Sequence, residues 1–171
     1  GFRGKLIGND EVNLKTITVE ISTSDNNGTG LFASTPDSAP PTDAVDTKIV
    51  VKNLELSGSV SSTGSYVGGF LGKTSYNGRK YPIEIINCVN NATVSGNSDV
   101  GSIVGYNGGV SDFKVDGCVN YKTVSSALHD GCAGGIVGNS TAGNITNSSN
   151  YGEVLTTNGA GGGILGRGLP N

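Results

Sequence analysis

The chain has 171 residues, 11 basic against 14 acidic side chains and a net charge of −3, so it fits one ordinary domain and offers no basic footprint for nucleic acid or an anionic membrane surface. Its 29 glycines far exceed the roughly 7% of average proteins, but they follow no three-residue period, which excludes collagen. No stretch approaches the ~18 consecutive apolar residues of a membrane-spanning helix, and no membrane insertion of this segment is expected.

Asn is the other abundant residue, with 18 copies. Asn and Gly are the residues that most readily take the left-handed conformation of tight turns, so frequent turns are predicted. In chain order, the first apolar doublet is Leu6-Ile7-Gly8. An alternating strand then follows at Ile17-Thr18-Val19-Glu20-Ile21, the period of a strand with one face buried and the other wet. Leu31-Phe32-Ala33 closes this unit. The segment Ser34 to Lys48, with Pro36, Pro40 and Pro41, reads as a long loop projecting into solvent.

Strand-forming blocks resume at Ile49, Val51, Leu54 and Leu56, and Val67-Gly68-Gly69-Phe70-Leu71-Gly72 follows them. The segment Lys73 to Pro82 reads as a second loop, with Lys73, Arg79 and Lys80 set among Tyr76 and Tyr81. From here the chain repeats itself openly. Asn87-Cys88-Val89-Asn90 with Val94 returns as Gly117-Cys118-Val119-Asn120 with Val124, then as Asn147-Ser148-Ser149-Asn150 with Val154, each step being 30 positions. Beside it Val100-Gly101-Ser102-Ile103-Val104-Gly105 becomes Ala133-Gly134-Gly135-Ile136-Val137-Gly138 and Gly161-Gly162-Gly163-Ile164-Leu165-Gly166. Aligning every apolar doublet that ends in a small residue, from Gly8 through Ala33, Gly72, Gly105, Gly138 and Gly166, gives intervals of 25, 39, 33, 33 and 28.

Repeats of this size mean units too small to bury a core alone, which are stable only when stacked. No window sustains a helical apolar stripe, and each repeat carries at least two short strands. The predicted fold is therefore all-β: a parallel β-helix or β-solenoid, right-handed, of about five coils. Residues 1–171 form a single repeat domain, best defined over 67–166, and the chain reads as part of a larger protein. Ile103, Val104, Ile136 and Val137 are expected to point side chains inward.

The blocks Gly69-Phe70-Leu71-Gly72, Gly135-Ile136-Val137-Gly138 and Gly163-Ile164-Leu165-Gly166 resemble the GLUG motif, a glycine, two apolar residues and a glycine. That motif recurs in bacterial extracellular proteins, including IgA-specific metallo-endopeptidases and large adhesin-like surface proteins. The resemblance covers about Val67 to Gly166, with Ser102 and Ala33 departing from the glycine pattern. It implies a secreted or cell-surface protein and a repeat type, without an activity. A zinc-protease site would need a His-Glu-x-x-His arrangement, and the chain has one histidine.

Cys88 and Cys118, with Ser148 as their third counterpart, are expected to point inward along one column. In-register parallel neighbours lie ~4.8 Å apart, farther than the 3.5 to 4.5 Å between bridged Cβ atoms, so free buried thiols are favoured over a disulfide. Cys132 aligns with Asp99, which predicts an exposed thiol at a turn or edge. His129 and Cys132 could be imagined as half a metal site or as a nucleophile with its base. Zinc wants three or four ligands, so neither metal nor cofactor is expected. The column Asn90, Asn120, Asn150 predicts an amide ladder, and Asn91, Tyr121, Tyr151 an adjacent stack; the alternative is a polar and aromatic strip for a glycan. Asp99, Asp112, Asp116, Asp130 and Glu153 occupy unlike places in their repeats, so no catalytic residue is nominated. Five Asn-x-Ser/Thr sequons, beginning at Asn27, Asn91, Asn139, Asn144 and Asn147, read as products of composition.

The functional expectation is a non-enzymatic adhesin-like module or spacer, whose partner, if any, is a host or matrix protein or glycan. Lys73, Tyr76, Arg79, Lys80 and Tyr81 are the candidate ligand-binding residues, because they combine cations with aromatic surface. The alternative is a polysaccharide-binding or polysaccharide-degrading β-helix, a lyase or hydrolase, which rests on fold analogy.

Overall fold

The computed structural model describes residues 4–36, 48–74 and 81–168. In chain order its strands are β1 (Lys5–Ile7), β2 (Lys15–Thr23), β3 (Phe32–Ser34), β4 (Ile49–Lys52), β5 (Leu54–Ser62), β6 (Val67–Gly68), β7 (Leu71–Lys73), β8 (Ile83–Ile86), β9 (Val89–Gly96), β10 (Val100–Gly101) and β11 (Val104–Asn107). They continue with β12 (Phe113–Asp116), β13 (Val119–Asn120), β14 (Val124–Ser126), β15 (Cys132–Gly134), β16 (Val137–Ser140), β17 (Asn144–Thr146), β18 (Ser149–Asn150), β19 (Val154–Thr156), β20 (Ala160–Gly162) and β21 (Leu165–Gly168).

These strands form four open sheets in which every pairing is parallel and joins a strand to its counterpart in the next repeat. The first sheet runs β1-β4-β8-β12-β17. The second holds β2, β5 and β9 and then β13, β14, β18 and β19; the third runs β6-β10-β15-β20 and the fourth β3-β7-β11-β16-β21. The arrangement is solenoid-like. Where the sequence shows two strand blocks per repeat, the structure has a strand in each of four sheets. The extra ones, such as β6, β10, β13 and β18, are only two residues long, too short to display period-two alternation.

Registered columns of like side chains make the core. Leu6, Val51, Ile85, Val115 and Ile145 stack across the first sheet, and Ile21, Val60, Val94, Val124 and Val154 across the second. Phe32, Leu71, Val104, Val137 and Leu165 stack across the fourth. Ile103, Val104, Ile136 and Val137 are all completely buried, as expected of the inward doublet. One alignment from sequence fails: Leu6-Ile7-Gly8 belongs to the first sheet, where Leu6 faces Val51, and not with the Gly-x-x-Gly blocks. An apolar doublet before glycine is too short to say which sheet it joins.

The corners explain the Asn and Gly content. Between the first and second sheets, Asn53, Asn87, Gly117 and Asn147 all have left-handed backbone, with φ of 58°, 49°, 63° and 49°. The Gly-x-x-Gly block is a second kind of corner, where the third and fourth sheets meet backbone to backbone. A Cβ on Gly101 would strike the Val104 carbonyl oxygen and lie 2.5 Å from the Gly138 amide nitrogen. Gly68 and Gly134 stand in the same relation to Gly105 and Gly166. The two sheets thus approach most closely at the glycine just before each block and at the block's last glycine, while the block's first position admits the Ser102 side chain.

Candidate ligand-binding face

Of the five residues singled out from sequence, Tyr76, Arg79 and Lys80 lie outside the described residues, as does most of the Ser34 to Lys48 loop. Tyr81 is only 3% exposed and belongs to the core cluster. Its ring enters the interior just ahead of β8, so it supplies no surface for a partner. Lys73 ends β7, half-buried, and its ammonium lies 5.1 Å from the centroid of the Tyr66 ring.

Lys73 is one member of an outward column. Parallel register on the fourth sheet places Ser34, Lys73, Tyr106, Asn139 and Arg167 side by side on consecutive strands. Each follows the last small residue of its apolar doublet, so the column was readable from the repeat alignment, although Tyr106 and Arg167 were not picked out. Tyr66 was missed as well. It precedes β6, and its ring lies 5.1 Å from that of Tyr106, tilted by 39°. Lys73, Tyr66 and Tyr106 therefore form one cation and aromatic cluster.

The same side of the molecule carries a buried polar knot. Asp99 Oδ1 accepts hydrogen bonds from the Cys132 thiol and from Asn139 Nδ2, both at 2.9 Å. The predicted alignment of Cys132 with Asp99 is met, since Val100 registers with Ala133. The predicted exposure is not: Cys132 is fully buried. Burial, with the Asp99 carboxylate beside it, pushes its thiol up to about 12, which leaves no thiolate for nucleophilic work at neutral pH. His129 turns away to Asp130, with Nδ1 3.1 Å from Oδ1. The two residues thus do not converge on a shared ligand or substrate, and among the described residues no three His, Cys, Asp or Glu side chains cluster as metal ligands.

Cys88 and Cys118 are free and buried. Both donate weakly to backbone carbonyls, Cys88 to Ile86 at 3.4 Å and Cys118 to Ile85 at 3.5 Å. The neighbouring Cys88 sulfur, together with burial, pushes the Cys118 thiol up. Ser148, the third counterpart, accepts from the Cys118 amide at 3.2 Å. The Asn column is interior: Asn90 and Asn120 are fully buried and linked through a carboxamide ladder that ends at Asn150. It is not a strip open to a glycan. Tyr121 and Tyr151 stack at 5.4 Å and 11°, face to face, and both remain exposed on the surface.

A cleft of about 440 Å³ lies on the outside of the first sheet, lined by Glu84, Lys114, Asp116, Asn144, Thr146 and Asn147 among others. Glu84 pairs with Lys48 at 2.7 Å and Asp116 with Lys114 at 2.8 Å. The Lys114 ammonium and the donors Thr146 and Asn147 hold the Asp116 carboxyl at about 2. It is a fixed anion in an ion ladder and a poor proton donor.

Comparisons with models of protein families, with curated proteins and with solved structures find no match to this chain.

Proposed function

We propose that the chain is a right-handed parallel β-helix of five coils, built from GLUG-like repeats, that serves as a non-enzymatic adhesin-like module of a secreted or cell-surface bacterial protein. Five strands in each of the first and fourth sheets support the coil number. The strong preference of parallel crossovers for one hand supports the handedness.

The observation that carries the binding role is the outward column of Lys73, Tyr106, Asn139 and Arg167 with Tyr66 beside it. A scaffold whose interior is uniform from repeat to repeat presents on this face side chains that differ at every strand. Such heterogeneity is not required for stacking and suits a contact surface. The test is to display the module on beads against matrix proteins and glycans, and to assay the glycans for new reducing or unsaturated ends. Retention without cleavage is expected.

The second reading, an enzyme acting on polysaccharide, is favoured by the cleft at Glu84, Lys114 and Asp116, where carboxylates and an ammonium gather. Bond cleavage that disappears in Glu84→Gln or Asp116→Asn would establish that reading in place of the first.

A further inference from the structure

The position of Tyr66 is anomalous. Three registered positions, Gly28, Tyr66 and Asp99, immediately precede Thr29, Val67 and Val100 on neighbouring strands. All three have left-handed backbone, with φ of 105°, 64° and 51°. Glycine takes this conformation freely and aspartate tolerates it, whereas a bulky aromatic residue is strained there. Left-handed backbone recurs at this corner in three consecutive coils, though not in the next, where Cys132 registers with Asp99, and two of the three residues take it at low cost. Tyr66 does not. Residues held in such backbone against their preference concentrate at sites where the side chain is needed for something else.

What the strain provides is placement. The Tyr66 ring is half-buried, with the Lys73 ammonium 5.1 Å from its centroid and the Tyr106 ring 5.1 Å away, tilted by 39°. Tyr106 lies on the outward column that continues through Asn139 to Arg167. Strand spacing sets Lys73 and Arg167 roughly 14 Å apart. The ring contact leaves the Lys73 charge intact, and Arg167 commits Nη2 to the Asp130 carbonyl at 3.0 Å while its fork carries further N–H donors. Two acidic residues adjoin the column: Asp99, whose Oδ1 is engaged by Cys132 and Asn139, and Asp130, whose carbonyl accepts from Arg167. The face therefore presents two cations separated by aromatic and amide groups along one line.

Resting on the reading that this face binds a ligand, we infer that the ligand is a linear carboxylated glycan lying along the column, with sugar rings against Tyr66 and Tyr106 and its carboxylates met by Lys73 and Arg167. Sugar rings combine an apolar face with a hydroxyl edge, which matches Tyr surface flanked by the Asn139 amide. In an extended chain they advance by about one strand spacing per residue, so regularly placed carboxylates reach both cations. An acidic polypeptide could satisfy the cations, but it gains little from the tilted ring pair.

The experiment measures binding of the whole chain to polygalacturonate and hyaluronan oligosaccharides, with neutral dextran and polyglutamate as comparators. Wild type is expected to hold the carboxylated glycans, with affinity falling as salt is raised, and to ignore dextran. Tyr66→Asn removes the ring while keeping a residue suited to left-handed backbone. It should melt no lower than wild type and yet bind at least about tenfold more weakly, as should Lys73→Ala, while Tyr66→Phe should retain binding. Equal binding of polyglutamate, or full glycan binding by both Tyr66→Asn and Lys73→Ala, would overturn the assignment. Binding to a matrix protein alone would also overturn it and leave the adhesin-like reading standing, whereas no binding to any matrix protein or glycan would remove both.

Discussion

Asn90 Nδ2 donates to Asn120 Oδ1 at 2.8 Å, and its other hydrogen goes to the Ala92 carbonyl at 2.7 Å. Asn120 repeats the pattern toward Asn150 and Lys122, at 2.7 Å each, and its Oδ1 also accepts from the Lys122 amide at 3.2 Å. Each buried side chain closes its own turn and clips the next strand. In the preceding strand the registered residue is Leu56, so the ladder starts where an apolar column ends.

Replacing Asn120 with Ala leaves the Asn90 donor without its acceptor and the Lys122 turn without its clip. Unmet buried polar groups cost about 1 to 3 kcal/mol each, so a loss of roughly 2 to 4 kcal/mol is expected in denaturant unfolding. Asn150→Ala, at the partly buried last rung, should cost less. A loss below that of Asn150→Ala would mean that the ladder does not hold the strands.

The repeat made the columns legible, because residues that recur at a fixed interval must stack if the strands are parallel. Cys88 above Cys118 and Asn90 above Asn120 could be read before any coordinates. What failed were inferences from residue character at single positions. Tyr81 in a basic loop looks exposed, yet it packs into the core just before Ile83, and Cys132 reads as a turn residue but opens β15 with its thiol bonded to Asp99. Strands of two or three residues are too short to show alternation, so the third sheet was invisible except as glycines. Tyr66 has no repeat partner of its own kind, and nothing in the sequence near it signals a left-handed backbone.

The close approach of the third and fourth sheets makes a sharp prediction. Gly101→Ala places a methyl group against the Val104 carbonyl and the Gly138 amide, both fixed in sheets, and is expected to cost about 3 kcal/mol or more. Gly163→Ala meets nothing within 4 Å and should stay within about 0.5 kcal/mol of wild type. Equal melting temperatures for the two variants would refute the backbone packing described above.

Thiol labelling tests the interior. Cys88, Cys118 and Cys132 are each fully buried, and burial with Asp99 keeps the Cys132 thiol protonated. All three should resist an alkylating reagent at neutral pH in the native state and react completely once unfolded. Rapid native labelling of Cys132 would show that its contact with Asp99 opens. A Cys88 to Cys118 crosslink in non-reducing peptide maps would contradict the free-thiol assignment.

Acid stability should report on Asp116. Lys114, Thr146 and Asn147 lower its folded value to about 2 from an ordinary 3.8. A depressed carboxyl contributes stability that is fully present above the unfolded value and is lost as pH falls through the folded one. The contribution should therefore be constant above about pH 5 and drain away between about pH 4 and pH 2. Asp116→Asn keeps an oxygen to accept from Thr146 but removes the charge facing Lys114, so it should melt lower than wild type at neutral pH. The gap should close as the buffer is taken down through that window. Other carboxylates titrate over the same range, and the difference between the two melting curves isolates this one. A gap that stays constant down to about pH 2 would show that the Asp116 carboxyl is not held as the ion pair and its two donors imply.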